Sequence, residues 1–354
     1  MPDRARHEVL ADLASTVRAS LEAASTGTTS HALAETFGVS PEVWREGLRA
    51  EADAWTASAL TALFAELPSD WPTRVPARVL VIAARTLPAS AWRQCGLARA
   101  LGAEVRLKTA AGQEALGEVL AASLGVVPTP FASDDTLAVA QAVGEVDAVI
   151  VLGSDETVAA VGRRVTPSQA FAPHGHRVSA IWVAAPPTDA EVAALGRDLL
   201  AWDQAGCLSP QCVWVEGDDQ ARETLAARLA AALPSLEAAL PLADRPAHFA
   251  GRRHAETLSA MLGAPSFASE TALCATHPSP ALRVAEGPRI LWFLPADRDA
   301  LAETLPVLST LAVIGAPTLD LPTSVRVCRP GEMQRPPLDW RQDGLHPLGS
   351  LLRP

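Results

Sequence analysis

Two patterns of hydrophobic positions divide the chain. Up to about residue 67, apolar residues recur at helical spacing in the segments 6–25 and 41–66, and the stretch from Pro68 to Pro72 then interrupts them. From residue 79 onward, short and mainly apolar runs alternate with helical stretches of roughly ten to fifteen residues. The runs have the length of strands and lie at 79–82, 105–108, 148–152, 178–184, 212–215, 290–294 and 311–314.

This alternation predicts an α/β fold. Strands that are apolar on both faces belong to parallel sheets that helices cover on both sides. In such sheets ligands bind beyond the carboxyl ends of the strands, so polar residues that follow a strand are candidates for a site. The tail from Arg329 to Pro354 is rich in Pro and Gly and is predicted to be irregular.

Composition narrows the class of protein. Hydrophobic residues make up 49% and charged residues 19% of the 354 residues, which is typical of a globular domain. The net charge of −11 argues against a nucleic-acid surface. No apolar stretch reaches the ~18 residues of a membrane span, and the first residues lack a signal-peptide core. We therefore expect a cytoplasmic protein without a membrane span.

The five cysteines are widely spaced and none forms a Cys-x-x-Cys pair. This usage fits reduced thiols and predicts no zinc site. Four of the cysteines have the surroundings of packing residues. Cys207 differs, because it follows a predicted helix and precedes the strand 212–215 on a polar connection next to Gly206. A thiol in that position is placed to act as a nucleophile.

The approach to Cys207 is well marked in the sequence. Thr188 and Glu191 form a capping-box pair, and apolar residues at helical spacing predict a helix over 189–204. Gly206 supplies the permissive backbone on which the chain is expected to turn.

Four polar residues accompany the Cys207 thiol, and they are suited to bind a ligand. The alternative is a small buried cysteine near a helix end, which is the common role of an intracellular cysteine. The four polar residues are Asp203, Gln204, Ser209 and Gln211.

A second candidate site follows two other strands. Gly153 and Ser154 connect a strand to a helix, where free backbone N–H groups and the helix dipole suit the phosphates of a cofactor. No Gly-x-Gly-x-x-Gly sequence is present, and Asp155 and Glu156 can equally be capping residues. Lys108 ends a strand and can reach a ribose hydroxyl or a 2′-phosphate, although a solvated lysine is an equally good interpretation.

His174, His176 and Arg177 precede the strand at 178–184. They could be acid/base groups, an anion clamp, half of a metal site, or surface polar residues on a loop. A metal is the least favoured, because no further ligand pair with fitting spacing is nearby. A serine hydrolase is not indicated either, because there is no Gly-x-Ser-x-Gly elbow.

Three ordered segments together resemble the LuxC-type acyl-CoA reductase family of the aldehyde dehydrogenase superfamily. Its best-known member is the reductase subunit of the bacterial bioluminescence fatty-acid reductase complex. The first segment runs from Gly175 to Ser179, the second from Asp203 to Gln211, and the third from Gly331 to Gly344. The resemblance extends from about Val79 to Gly344.

The resemblance implies an aldehyde-dehydrogenase-like fold with four regions. A helical N-terminal region at 1–70 is followed by a Rossmann-like, parallel-sheet NAD(P)-binding domain at 71–204. A second α/β domain at 205–328 carries the catalytic Cys207, and an irregular tail covers 329–354.

The resemblance also implies site residues. Cys207 falls at the position of the family's catalytic cysteine. Lys108 matches the lysine that contacts the adenosine ribose or its phosphate in the superfamily, and Gly153 with Ser154 matches the turn beneath the cofactor. Thr86 stands where an oxyanion-binding asparagine is expected, and Val158 replaces a glycine. NADPH is the expected cofactor, with NADH as the alternative.

The implied activity is the reduction of an acyl-CoA or acyl-protein thioester to an aldehyde through an acyl-cysteine intermediate on Cys207. His174 or His176 would donate a proton or contact an anion. No glutamate that could activate water stands around 174–177, which opposes a conventional aldehyde oxidiser. A homo-oligomer is expected, and an acyl-transferring partner protein could take part. The alternative is a degenerate family member that binds acyl groups or a partner without turnover.

Overall fold

The computed structural model describes residues 3–243 and 246–354. Residues 1 and 2 of the predicted N-terminal region lie outside the described residues. Residues 3–74 are mostly helical, and the spacing of apolar residues predicted this helical region up to about residue 67. The short helix at 71–74 was not predicted, because it overlaps the interruption expected at Pro68 to Pro72. The helices here are α1 (Asp3–Ala24), α2 (Gly27–Phe37), α3 (Pro41–Ala54), α4 (Ala57–Ala65) and the short α5 (Trp71–Arg74).

The chain divides into two units. Unit 1 consists of the residues up to Phe37, Leu48–His176 and Pro336–Pro354, and unit 2 consists of Gly38–Gly47 and Arg177–Arg335. Each unit contains one sheet. The predicted boundary at residue 204 falls within unit 2.

Unit 1 is built on a five-stranded sheet in which every pairing is parallel. The strand order is β3-β2-β1-β4-β5, so the direction of winding reverses between β1 and β4. Ligands of doubly wound sheets bind at that switch point. The strands are β1 (Arg78–Ile82), β2 (Glu104–Lys108), β3 (Val127–Pro128), β4 (Ala148–Leu152) and β5 (Ala170–His174), and the helices that connect them are α6 (Ala89–Ala100), α7 (Glu114–Leu124), α8 (Thr136–Gly144) and α9 (Asp155–Gly162).

Unit 2 is built on a seven-stranded sheet in the order β12-β11-β6-β7-β10-β9-β8, and only the edge pair β8–β9 is antiparallel. The strands are β6 (Val178–Val183), β7 (Pro210–Val215), β8 (Ser266–Ala268), β9 (Leu273–Thr276), β10 (Ile290–Pro295), β11 (Leu308–Ile314) and β12 (Arg326–Cys328). The helices are α10 (Asp189–Leu200), α11 (Asp219–Ala239), α12 (Pro246–Met261) and α13 (Arg298–Thr304).

The central strands of unit 2 are buried on both faces, which explains their continuous apolar runs. Neighbouring residues of a strand point to opposite faces. Ile181 and Val213 thus belong to the core beneath α10 and α11, whereas Trp182 and Trp214 belong to the core on the other face.

The sequence assigned β6 to the first domain, but β6 pairs with β7 and β11 in the second sheet. The sequence could not show this, because a strand that is apolar throughout suits either parallel sheet. The helix α11 is continuous through Pro234. The predicted α/β class is confirmed. Within 3–243 and 246–354, no helix combines the length and apolarity that a bilayer crossing requires.

Candidate active site

The loop that carries Cys207 begins with an unusual backbone turn. Helix α10 ends at Leu200, and Trp202, Asp203 and Gln204 then adopt φ values of 53°, 51° and 63°. This left-handed conformation costs a non-glycine residue on the order of 1 kcal/mol or more, so three in a row persist only when the surroundings fix them. The predicted helix to residue 204 is therefore wrong beyond Leu200. The chain does turn at Gly206, as predicted, but the left-handed residues precede this glycine.

Two buried side chains of the turn hold it in place. Asp203 accepts hydrogen bonds of 2.6 and 2.9 Å from Arg289, and both side chains are 0% exposed. The Gln204 amide spans two strands, because its Nε2 donates to the carbonyls of Pro210 and Ile290 and its Oε1 accepts from the N–H of Ile290. These bonds stabilise the left-handed turn.

The third residue of the turn, Trp202, contacts the helix α3. Its ring lies edge-on to Trp44 with the centroids 6.0 Å apart. It also occupies the space above Gly47, where a Cβ would lie 2.1 Å from a ring carbon. Only glycine at position 47 leaves room for this packing.

Cys207 itself is half-buried. Its carbonyl oxygen accepts a hydrogen bond of 2.7 Å from the Ser179 hydroxyl, and Ser209 N–H donates to the Gly206 carbonyl. The Ser209 hydroxyl in turn pairs with Gln334 Nε2 at 3.0 Å. The polar residues that were expected to bind a ligand therefore bind the protein and rigidify the loop.

The other four cysteines are poor nucleophiles because burial disfavours their thiolates. It raises the pKa of the Cys95 and Cys328 thiols to about 12, and it raises the pKa of Cys212 and Cys274 as well. Cys207 is the remaining candidate.

In unit 1 the predicted cofactor turn has the expected connection from strand to helix. Ser154 caps α9, and its hydroxyl accepts the N–H of Thr157 at 3.3 Å. The Asp155 carboxylate accepts the N–H of His176 at 2.9 Å, and His176 is exposed. The turn after β4 thus meets the end of β5 at the carboxyl edge of the sheet.

Lys108 ends β2 on the same edge and is only 7% exposed. Its ammonium donates to the Ser133 hydroxyl at 2.8 Å and lies 5.7 Å from the centre of the Phe131 ring. Desolvation lowers the pKa of Lys108, and the positive charge of Arg85 lowers it further. The solvated-lysine alternative is therefore wrong.

The chemistry of these residues fits a phosphate-bearing cofactor. Lys108 and Arg85 are two cations within electrostatic range of each other, and the residues at 3–243 and 246–354 form no ion pair with Lys108. A dinucleotide phosphate would relieve their repulsion. Thr86 is exposed in the connection after β1, at the same edge as Gly153.

The structure gives the two candidate histidines different surroundings. His174 is buried, and its Nδ1 lies 2.8 Å from Asp343 Oδ2. It lines a cavity of about 20 Å³, large enough for a water, together with Arg93 and Trp340. His174 thus contacts the C-terminal segment through Asp343. Of the two histidines, only His176 fits the interpretation as a surface polar residue on a loop. No group of residues fit to hold a metal ion occurs in the described part of the chain.

The C-terminal segment also reaches the Cys207 loop through hydrogen bonds. The Asp198 carboxylate accepts N–H groups of Gly331, Met333 and Gln334, the first at 2.5 Å. Because burial outweighs these bonds, the pKa of Asp198 rises to about 7. Gln334 then bonds Ser209. The family resemblance singled out residues 331–344 in the sequence, but it did not predict their hydrogen bonds to Asp198 and Ser209.

Solved structures similar to this chain are aldehyde dehydrogenases and related oxidoreductases. An NADP-dependent glyceraldehyde-3-phosphate dehydrogenase from Bacillus halodurans, complexed with NADP, has 14% identity and a TM-score of 0.67, over 99% of this chain and 85% of that one. An NAD-dependent aldehyde dehydrogenase from Sinorhizobium meliloti has 16% identity and a TM-score of 0.61, over 90% and 71%. An oxidoreductase from Marinobacter aquaeolei has 13% identity and a TM-score of 0.64, over 89% and 74%. The fold is that of the aldehyde dehydrogenases.

Within this fold, the family described as acyl-CoA reductase (LuxC) matches residues 100–262. The match confirms the LuxC-type resemblance and includes Lys108, Gly153 and Cys207. Residues 100–262 are thus similar to the LuxC-type acyl-CoA reductases, and the fold of the chain is that of the aldehyde dehydrogenases. No curated protein matches the sequence.

Proposed function

We propose that the protein reduces an acyl thioester, carried by coenzyme A or by a protein, to the aldehyde with NADPH. The observation that carries this proposal is Cys207, a half-buried thiol on a rigid loop within the region that matches the acyl-CoA reductases. The absence of a glutamate around 174–177 favours reduction of the thioester over its hydrolysis.

In the first step the Cys207 thiolate attacks the carbonyl carbon of the thioester. The bond from that carbon to the departing sulfur breaks, the leaving thiolate takes up a proton, and the acyl group remains on Cys207. A reduced nicotinamide, when bound, would supply a hydride to this acyl carbon. The bond to the Cys207 sulfur then breaks, which releases the aldehyde and regenerates the thiolate.

Negative charge develops on the carbonyl oxygen during both additions and requires fixed donors. The Cys207 N–H is the proposed donor in unit 2, where the bond from Ser179 to the Cys207 carbonyl fixes the local backbone. Thr86, at the family's asparagine position, is the proposed second donor. Its hydroxyl can donate one bond.

Lys108, Arg85 and the Gly153–Ser154 turn are the proposed cofactor contacts. The two cations favour the additional phosphate of NADPH, with NADH as the alternative. Exposed His176 is the proposed anion contact at this edge, whereas buried His174 is proposed to position the C-terminal segment through Asp343. A homo-oligomer and an acyl-transferring partner remain part of the proposal.

The proposal is tested by mixing the purified protein with NADPH and acyl-CoAs of several chain lengths. We expect NADPH consumption and aldehyde formation, and we expect Cys207→Ser to lower the rate by at least about a thousandfold. Cys328→Ser is the matched control and should keep the rate, because Cys328 is a partly buried thiol outside the proposed site.

Mass spectrometry after incubation with acyl-CoA alone separates the two candidate functions. An acyl adduct on Cys207 that yields no aldehyde when NADPH is added would favour the binding protein without turnover. Unchanged NADPH consumption in Cys207→Ser would contradict both.

A further inference from the structure

A cavity of about 280 Å³ opens in unit 2, outside the proposed catalytic residues. One wall is helix α12, and the other is the connection from β9 to β10. Its walls carry both polar and apolar side chains, and the apolar ones include Ala255, Leu258, Leu282, Val284 and Trp292. Val284 is 49% exposed, so the apolar wall is open to solvent.

One arginine, Arg283, lines this cavity. Its guanidinium lies 5.5 Å from the centre of the Trp292 ring, and its Nε is buried without a hydrogen-bond partner. No carboxylate among residues 3–243 and 246–354 forms an ion pair with it. The Glu286 carboxylate on the same wall lies 3.5 Å from His254 Nε2 instead. A half-buried, unpaired arginine favours an anionic ligand.

The wall of the cavity is joined to the strand that follows the Cys207 loop. Gln211 Oε1 accepts the N–H of Ala285 at 3.1 Å, and the Arg283 N–H bonds the Cys212 sulfur. Since β7 and β10 are parallel, the Cys207 loop and the wall both lie at the amino end of neighbouring strands. A substrate that reaches Cys207 from this end would pass the cavity.

We infer that this cavity binds the phosphate end of the substrate's phosphopantetheine arm, an inference that rests on the proposed function. In that arm a phosphate adjoins a carbon with two methyl groups, so one short segment is anionic and apolar. Arg283 would bind the phosphate, and Leu258, Leu282 and Val284 would cover the methyl groups. Coenzyme A and acyl-carrier proteins share this arm.

The test compares an acyl-CoA with the same acyl group on N-acetylcysteamine, a thioester without phosphate. For Arg283→Gln we expect KM for the acyl-CoA to rise roughly ten- to hundredfold, because a charge-assisted bond is lost. KM for the truncated thioester and kcat for both should stay unchanged. Arg283→Lys should restore part of the affinity for the acyl-CoA.

Arg253→Gln is the matched control, because Arg253 is an exposed arginine on α12 that does not line the cavity. It should leave both KM values unchanged. Equal effects of Arg283→Gln and Arg253→Gln would overturn the inference, because they would indicate general charge steering. An equal rise in KM for both thioesters would overturn it as well.

An acyl-carrier protein distinguishes the two sources of the arm. If Arg283→Gln raises KM for both the acyl-CoA and the acyl-carrier protein, the result supports a contact between Arg283 and the phosphate that both arms share. If it raises KM for the acyl-CoA alone, Arg283 contacts the nucleotide part of coenzyme A, and the inference is overturned. Calorimetric titration with pantetheine 4′-phosphate gives a readout without turnover. If the wild type binds this probe and Arg283→Gln does not, the cavity assignment stands even if no thioester is reduced; if both bind it equally, the assignment fails.

Discussion

At the scale of single residues, the Cys207 loop owes its shape to partners that are distant in sequence. Asp203 and Gln204 bond Arg289 and Ile290, 86 residues further along the chain. Arg289 itself has a φ of 57°. No glycine marks either left-handed position, so sequence patterns cannot reveal the turn or the ion pair that fixes it.

Removing one member of this ion pair leaves the other charged and buried. We expect Arg289→Met to lower the free energy of unfolding by about 3–5 kcal/mol, because Asp203 loses its compensating charge. Chemical denaturation with urea measures the change. The double variant Asp203→Asn/Arg289→Met should recover much of the loss, and a double variant as unstable as the single one would contradict this explanation.

At the scale of elements, the sequence predicted the central strands and most helices, because continuous apolar runs and caps mark them. It missed β3, β8 and β12, whose residues are largely exposed or half-buried and therefore show no apolar pattern. The strands β5 and β9 were also missed. Pro173 and His174 interrupt the apolar run of β5, and Thr276 with the small residues around it weakens the signal of the buried β9.

Helix α3 gives an element-scale prediction at Gly47. Alanine normally favours a helix over glycine by about 1 kcal/mol, but here the new Cβ would meet the Trp202 ring at 2.1 Å. We expect Gly47→Ala to destabilise the protein by roughly 1–3 kcal/mol, as overpacking does. Thermal or urea unfolding measures this difference.

The control is Gly144→Ala in α8, where no atom lies within 4 Å of the new Cβ. This variant should be neutral or slightly more stable. If both glycine variants had the same stability, the contact with Trp202 would not constrain α3.

At the scale of the whole molecule, the third segment of the family resemblance contributes to both units. Residues 331–334 are held by Asp198 in unit 2, whereas the carbonyls of Pro336 and Pro337 accept bonds from Arg93 in unit 1. Arg93 also forms a buried ion pair with Glu51. The motif was visible in the sequence, but these partners were not, because each lies more than a hundred residues away.

Asp198 gives a pH prediction for the whole protein. Its pKa is about 7 in the folded state against an ordinary 3.8, so between these values the folded state holds a proton that the unfolded state releases. Stability should therefore fall as pH rises from about 4 to 7, by at most about 4 kcal/mol. Urea unfolding across this range measures the slope.

Asp198→Asn should remove this part of the slope, because the amide does not titrate. Desolvation lowers the pKa of His277 and His346, which adds a slope of opposite sign below about pH 6.5 in both proteins. The difference between the two profiles therefore isolates Asp198. Parallel profiles would show that its carboxyl titrates normally.

The side chain of Gln204 has a consequence for synthesis of the protein. Its amide completes hydrogen bonds to strands that begin at residues 210 and 290. A growing polypeptide that has passed Cys207 but not yet emerged as far as residue 290 cannot close this loop, because one of its anchors does not exist. The Cys207 loop would therefore reach its folded conformation only when the ribosome has delivered β10.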